Sequence, residues 1–203
     1  MQNLKLSGTL LFFAGSIALM GIITAEALYP SGTGYTTFQS EISDLGATKP
    51  PNSIIYQPSA TIFNMSMLLS GLMILAATFF QHKHFKKWLF SVPLGLFGLS
   101  LVGIGLFSGE KVPYHGMFAM LAFTSGGVSA LASAKIASTP FKYIGIVFGA
   151  ISLAIWAVVL LIPDIIISFI GMGGTERWLV YPVVLWIVGL GGYLMNTTTI
   201  QNK

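Results

Sequence analysis

Six long apolar runs constrain this sequence more than any other feature. They cover about residues 6–28, 59–81, 88–108, 115–137, 143–162 and 178–196. Each run is about the 20 residues that a helix needs to cross a bilayer. Each should be helical, because lipid offers backbone amides no partners and no run alternates like a barrel strand. The sequence therefore predicts an all-α, polytopic integral membrane protein that forms a six-transmembrane-helix bundle.

The scarcity of charge agrees with this fold class. Only 8% of the 203 residues are charged and the mean hydropathy is +0.81, whereas soluble domains carry about 25% charged residues. We expect a single membrane domain over residues 1–203. The absence of cysteine excludes disulfides and thiolate metal sites. The basic residues are scattered rather than clustered, so no nucleic-acid partner is expected.

The basic residues predict the orientation. With the amino terminus in the cytoplasm, seven basic residues fall on the inner side and three on the outer side. The inner residues are Lys5, Lys83, Lys86, Lys87, Lys135, Lys142 and Lys203, and the outer ones are Lys49, Lys111 and Arg177. Both termini are therefore expected to be cytoplasmic. The carboxylates take no part in this count, yet all six fall on the outer side, at Glu26, Glu41, Asp44, Glu110, Asp164 and Glu176.

The long outer loop, residues 29–58, is the first candidate for a functional region, because connections of about thirty residues are usually functional or disordered. Its aromatic and apolar residues predict that it folds over the helix ends. Within it, Ser43-Asp44-Leu45-Gly46 is typical of a turn, since Asp bonds its own backbone and Gly tolerates positive φ. Alternatively, Ser43 and Asp44 line the mouth of a ligand pocket.

His115 opens the fourth span, and Glu110 closes the third, so a short turn should bring the two residues together. Glu110 could then orient the imidazole, and His115 could act as a catalytic base or a ligand. The alternative is a helix-end histidine beside an unrelated loop carboxylate. His115, Asp44 and Glu110 are also candidate metal ligands, although the sequence requires no cofactor and the metal stays unknown.

Glu176 and Arg177 precede the sixth span, and Arg177 is the only arginine in the chain. A guanidinium group suits a phosphate or a carboxylate, so Arg177 is a candidate headgroup ligand. The alternative is an ion pair that pins a loop to a helix. Glu26 lies about one turn inside the first span, where an ionisable residue is costly and often functional.

Small residues predict close helix packing. The glycines concerned are Gly95, Gly98, Gly103, Gly105, Gly126, Gly127, Gly189, Gly191 and Gly192. Such glycine-rich faces could also support a homo-oligomer.

A set of motifs resembles a known family. The motifs are Ala-Glu-Ala-Leu-Tyr-Pro at 25–30, Ile-Ser-Asp-Leu-Gly at 42–46, Phe63-Asn64, Glu110 with His115, and Gly-Thr-Glu-Arg-Trp at 174–178 followed by Tyr181-Pro182. Over nearly the whole chain they resemble the prokaryotic membrane family called domain of unknown function 998. The resemblance implies six spans in a prokaryotic cytoplasmic membrane, and it implies no activity.

A more distant resemblance is to the Frag/DRAM/Sfk group of eukaryotic membrane proteins. It rests on Ser43-Asp44-Leu45-Gly46, on Pro50-Pro51 and on the histidine that opens the fourth span. That group also has an acidic-Trp feature near its last span. This sequence departs from it, because Arg177 separates Glu176 from Trp178 here. Members act in GPI-anchor lipid remodelling, autophagy and phospholipid distribution, which implies lipid at the non-cytoplasmic face.

The function expected from these features is lipid handling in a polar pocket at the extracytoplasmic face. Arg177 would contact the phosphate of a headgroup, and the pocket would be completed by Glu176, Asp44, Ser43 and Glu26. One alternative is an intramembrane hydrolase or acyltransferase that uses His115 with carboxylates. A transporter or channel for small solutes or protons is a second alternative, although scarce mid-membrane charge and the lack of repeats count against it. A third is a structural clasp of the loops, so enzymatic activity stays open.

Overall fold

The computed structural model describes residues 2–200, with side chains as far as Asn196, so Lys203 lies outside the described residues. The described part is helical and contains no strand. Its six long helices are α1 Gln2–Ala27, α2 Ser59–Phe85, α3 Trp88–Leu106, α4 Tyr114–Ala132, α5 Phe141–Leu161 and α6 Pro163–Ile200. All six are long and apolar enough to cross a membrane, which confirms the predicted fold class.

The six helices form a closed ring. Each helix packs against its neighbour in sequence, α6 packs back against α1, and α4 also touches α6 across the ring. Because the helices alternate in direction, loop 28–58 and the α3–α4 and α5–α6 connections lie at one end of the bundle. This end carries all six carboxylates and is called the acidic end. The opposite end, with the α2–α3 and α4–α5 connections, is called the basic end.

Helices pack closely where glycines face each other. A Cβ atom at Gly71 on α2 would lie 2.6 Å from the Gly98 carbonyl oxygen on α3, and one at Gly149 on α5 would lie 2.7 Å from that of Gly127 on α4. Such contacts let backbones approach without the volume of a side chain. Several glycines that predict close packing therefore serve contacts within the chain, and homo-oligomerisation stays a prediction.

Buried serines add hydrogen bonds between helices. Ser7 Oγ on α1 donates to the Ala77 carbonyl at 2.9 Å, and Ser70 Oγ on α2 donates to the Ala14 carbonyl at 2.8 Å. Ser152 Oγ ties α5 to α6 in the same way. In lipid such bonds contribute roughly 0.6 kcal/mol each on average, so they align the helices rather than dominate their association.

The sixth helix begins earlier than hydropathy predicts. It starts at Pro163 and breaks at Gly171, where φ is +72° and ψ is 171°, a conformation that essentially only glycine adopts. Residues 163–170 form a short helix, and the spanning part begins directly after Gly171. Glu176 and Arg177 therefore lie inside the helix rather than before it. Hydropathy missed this start because residues 171–177 contain glycines and charged residues. The polar groups of this stretch bond to the loop and do not face lipid.

Candidate functional site

Loop 28–58 folds onto the acidic end of α6, as its apolar residues predict. The amide of Gly173 donates to the Phe38 carbonyl at 3.0 Å. A side chain at Gly173 would collide with the carbonyl oxygens of Thr37 and Ser40. The absence of a Cβ atom at Gly173 therefore lets loop residues 37–40 lie directly on the helix.

Arg177 fastens this contact. Its Nη1 atom donates to the carbonyls of Thr37 at 3.1 Å and Ser40 at 3.0 Å, and its Nη2 atom donates to the Tyr35 hydroxyl at 2.9 Å. Nη2 also lies 3.3 Å from Glu26 Oε2 on α1. Arg177 is only 9% exposed. The guanidinium therefore joins α6, the loop and α1, which is the arrangement expected of an ion pair that pins loop to helix.

Glu176 holds the next part of the same loop. Its Oε2 atom accepts hydrogen bonds from the amides of Ile42 and Ser43. Consecutive helical residues point about 100° apart, so Glu176 and Arg177 reach different stretches of the loop. The adjacent pair thus fixes residues 37–43 from both sides of the hydrogen bond, because the Glu176 side-chain oxygen accepts from amides and the Arg177 guanidinium donates to carbonyls.

The Ser-Asp-Leu-Gly motif forms a 3-10 turn at Ser43–Leu45. Asp44 Oδ2 accepts from the Glu41 amide at 2.9 Å, which confirms the turn-forming role expected of Asp44. The expectation for Gly46 was wrong, because its φ is −84°. Glycine is needed there for space, since a Cβ atom would lie 2.5 Å from Asn64 Oδ1 and 2.9 Å from a Phe63 ring carbon.

Burial and charge shift the ionisation of three loop residues. Burial and the neighbouring Glu41 carboxylate raise the pKa of Asp44. Burial lowers the pKa of Lys49, but the hydrogen bond and charge of Glu41 outweigh this and leave it raised. Burial raises the pKa of Tyr35, as it does for Asp44, and this effect exceeds the lowering by the nearby Arg177 guanidinium. The turn thus carries a carboxyl group that is more easily protonated than an exposed aspartate.

His115 is buried, with 4% of its surface exposed, and its Nδ1 atom lies 2.7 Å from the Phe107 carbonyl oxygen. A carbonyl only accepts, so Nδ1 carries a proton, and Nε2 is the ring nitrogen that can carry a lone pair. The Phe107 carbonyl, and not Glu110, orients the imidazole. Glu110 instead accepts from Ser108 Oγ at 3.0 Å, and its other oxygen is buried without a partner among the described residues.

A central cavity of about 60 Å³ runs inside the ring between α1, α2, α3, α4 and α6. Its walls are apolar, and Ser43, His115 and Glu176 form its lining at the acidic end. A volume of this size holds a few water molecules. The cavity brings together one residue from the loop, one from α4 and one from α6, all of which belong to the predicted site.

A larger groove of about 620 Å³ opens between α5 and α6 on the perimeter of the bundle. Phe148 and Ile151 of α5 line one wall, and α6 supplies Trp178, Tyr181 and Leu185. Thr37, Phe38 and Arg177 line its acidic end. The sequence did not predict the groove, because a tryptophan near a helix end, such as Trp178, is typical of the aromatic residues enriched at membrane interfaces. The available signal was the spacing of 178, 181–182 and 185 on one helical face.

The structure therefore groups most of the candidate residues. Ser43 and Asp44 lie in the docked loop, Glu176 and Arg177 bind that loop, and Glu26 pairs with Arg177. His115 lines the central cavity together with Ser43 and Glu176. Glu110 makes no hydrogen bond to His115. The described residues contain no group of three or more His, Asp and Glu side chains that could hold a metal ion, so His115, Asp44 and Glu110 do not converge on one.

The family comparison covers almost the whole of this architecture. A family model described as "Protein of unknown function (DUF998)" matches residues 12–193. No curated protein and no solved structure matches the chain. The resemblance to the Frag/DRAM/Sfk group therefore rests on the sequence motifs alone.

Proposed function

We propose that this chain, which belongs to the DUF998 family, binds a phospholipid from the surrounding bilayer in the groove between α5 and α6. The observation that carries the proposal is the groove itself. Its volume of about 620 Å³ falls within the range of about 300–1,000 Å³ that small-molecule sites occupy. It also lies on the perimeter of the bundle, where the medium is lipid.

The lining of the groove changes along α6 in the order that a lipid requires. Arg177 lies at the acidic end, Tyr181 follows one turn deeper, and Leu185 follows one turn deeper again. The eight helical steps from Arg177 to Leu185 span about 12 Å at the rise of an α-helix. A headgroup would lie near Thr37 and Arg177, and an acyl chain would run along Leu185 and Ile151. In this proposal the acidic end faces away from the cytoplasm, as the basic residues predict.

Arg177 has a different role here from the one expected from sequence. Its amino groups are occupied by loop carbonyls, Tyr35 and Glu26, so they are not free to grip a phosphate. Arg177 instead fixes the loop that forms the polar end of the groove. Direct headgroup contacts then fall to Thr37 and Tyr181, while the exposed Trp178 lies at the level that interfacial indoles prefer.

A photoreactive phospholipid tests the proposal. The purified chain is reconstituted in phosphatidylcholine nanodiscs that contain a lipid with a diazirine in its acyl chain, and the crosslinked peptides are identified by mass spectrometry. We expect crosslinks at Phe148, Ile151 and Leu185. Ile151→Trp fills the groove and should lower crosslinking at Leu185 roughly tenfold, which corresponds to about 1.4 kcal/mol.

Val147→Trp is the matched control, because Val147 lies beside Phe148 on α5 but is 52% exposed outside the groove. It should leave the crosslinks at Leu185 within twofold. Crosslinks spread evenly over all lipid-facing helices, or an equal loss in both variants, would contradict binding in the groove.

We infer a second candidate, an intramembrane hydrolase or acyltransferase, from the position of His115. Its Nδ1 proton is fixed on the Phe107 carbonyl, which leaves Nε2 as the basic atom, and its side chain lines the central cavity with Ser43 and Glu176. An oriented imidazole beside a small cavity is suited to accept a proton from water or a hydroxyl group. Fatty-acid release from phospholipid vesicles should then be lost in His115→Gln and retained in His84→Gln. A wild-type chain that releases no fatty acid would remove this candidate.

A further inference from the structure

We infer that the connection between α2 and α3 binds the headgroup of an anionic phospholipid at the basic end. This segment, residues 82–88, is called the lysine turn. It lies at the opposite end of the bundle from the groove and the central cavity, so this inference does not depend on the proposed function.

Charge at the basic end is one-sided. Six lysines among the described residues lie there, and all six acidic side chains of the chain lie at the other end. The lysines are Lys5, Lys83, Lys86, Lys87, Lys135 and Lys142. Three of the six fall within the lysine turn, and all three are exposed. The turn therefore presents a local positive charge that no carboxylate of the chain compensates.

The lysine turn has a defined backbone shape. α2 ends at Phe85 and α3 begins at Trp88, so only Lys86 and Lys87 connect them. Lys86 adopts the left-handed conformation with φ of 52°, and its amide donates to the His82 carbonyl at 2.9 Å. Adjacent Cα atoms lie about 3.8 Å apart, so the turn presents two ammonium groups from neighbouring positions.

A buried hydrogen-bond network holds this shape. Gln81, which is fully buried, donates from Nε2 to Ser91 Oγ at 2.8 Å, and His82 Nδ1 lies 2.8 Å from the same oxygen. Ser91 Oγ also donates to the Lys87 carbonyl at 3.0 Å. One serine of α3 thus fastens the last turn of α2 and the carbonyl between the two helices.

The depth of the turn matches the phosphate level of a leaflet. The Trp88 ring lies 4.1 Å from the His82 ring, and Trp88 is 68% exposed. An exposed tryptophan at a helix end marks the interface between headgroups and hydrocarbon. Lys83 Nζ lies 4.1 Å from the centre of the Phe79 ring, one turn deeper on α2. The lysines therefore lie where lipid phosphates are, directly beside the hydrocarbon boundary.

The positive-inside bias alone does not explain why the lysine turn has a fixed shape. The bias of basic residues towards the cytoplasm depends on their number near the helix ends and not on a fixed geometry. The buried Gln81–Ser91 bond instead fixes where Lys86 and Lys87 stand relative to Trp88. Lysines near a membrane surface attract anionic lipids, which makes an anionic phospholipid the partner with complementary charge.

Native mass spectrometry of the full chain tests this inference. The protein is equilibrated in mixed micelles of phosphatidylglycerol and phosphatidylcholine at equal amounts, and the lipids that stay bound are counted. The wild type should retain phosphatidylglycerol in clear excess. Lys86→Gln with Lys87→Gln should lower that excess by about fivefold or more, because each lysine near the surface contributes to anionic-lipid attraction.

The matched control is Lys135→Gln with Lys142→Gln, which removes the same charge at the same end but at the α4–α5 connection rather than at the lysine turn. It should leave the excess of phosphatidylglycerol within twofold. Ser91→Ala, which keeps every lysine, should reduce the excess by loosening the turn. Equal losses in both double variants would show diffuse attraction and overturn the site, as would an unchanged excess in Lys86→Gln with Lys87→Gln. Displacement of phosphatidylglycerol by inorganic phosphate would also overturn it, because the partner would then be a free anion.

Discussion

The two ends of the bundle use charge in opposite ways. At the acidic end, both signs of charge occur together, and the charged side chains bind each other or the backbone. Glu26 pairs with Arg177, and Glu41 pairs with Lys49. At the basic end, the described charged side chains are all lysines and the connections are short. Charge at the acidic end therefore builds the structure of the chain, whereas charge at the basic end stays available to its surroundings.

The difference follows from loop length. A connection of two residues, as between α2 and α3, loses little conformational freedom, and the hydrogen bonds of Ser91 are enough to hold its shape. Loop 28–58 must instead lose much conformational freedom to fold onto the helices, at roughly 1–2 kcal/mol of backbone entropy per residue. Buried polar anchors at Glu176 and Arg177 help to offset that cost. The acidic end therefore holds both of the candidate sites and the bonds that shape them.

Arg177→Ala should produce the largest effect, because it removes the charged side chain that joins the loop, α1 and α6 at the acidic end. Removing the guanidinium leaves Glu26 without its cation and the carbonyls of Thr37 and Ser40 without their donor. Breaking a buried ion pair from one side costs about 3–5 kcal/mol, so thermal unfolding in detergent should move to clearly lower temperature. Lys87→Ala at the basic end should change stability by less than about 0.5 kcal/mol. Equal destabilisation by the two substitutions would show that charge at the basic end is structural as well.

Glu176→Gln should have an intermediate effect that is confined to the loop. The amide oxygen still accepts from Ile42 and Ser43, but the amide nitrogen adds two N–H donors to the apolar lining of the central cavity. We expect a loss of about 1–2 kcal/mol and hydrogen exchange of those two amides that is about tenfold faster. Peptides from residues 82–91 serve as the internal control and should exchange at the wild-type rate. Faster exchange at both ends would instead indicate a global loss of stability.

The sequence was sufficient for the helices and insufficient for the contacts of the site. Each apolar run must form a helix in lipid, so composition alone determined the six spans. The docking of loop 28–58 depends on atoms far apart in sequence, such as the carbonyl of Thr37 and the guanidinium of Arg177. No local pattern encodes which acceptor a guanidinium meets. For this reason Arg177 was predicted as a headgroup ligand, although its ion-pair alternative described its contacts better.

His115 and Gly46 show the same limit at shorter range. The Glu110–His115 spacing predicted a contact between side chains, but the carbonyl of Phe107 occupies the imidazole nitrogen instead. Every residue has a carbonyl, so sequence offers no signal for this choice. Gly46 lies in a turn, as predicted, but the predicted reason was wrong. Its φ is not positive, and glycine is needed because a Cβ atom would collide with the Asn64 side chain.

Asp44→Asn should give the smallest effect, and its sign shows whether a charge at this position supports the turn. The pKa of Asp44 is raised in the folded chain by burial and by Glu41, so the folded state binds this proton more tightly than the unfolded state. Stability then falls as pH rises from the unfolded pKa, near 3.8, through the raised folded value. Asparagine keeps an acceptor for the Glu41 amide and carries no charge, so it should stabilise the chain at pH 7 by well under about 1 kcal/mol and have no effect below about pH 3.5. Unfolding midpoints of the two proteins, measured across this pH range, should separate only as pH rises. A variant that is less stable than wild type at pH 7 would show that the Asp44 carboxylate supports the turn through its charge, as Arg177 supports the loop, and would extend the structural role of charge at the acidic end to its partly buried residues.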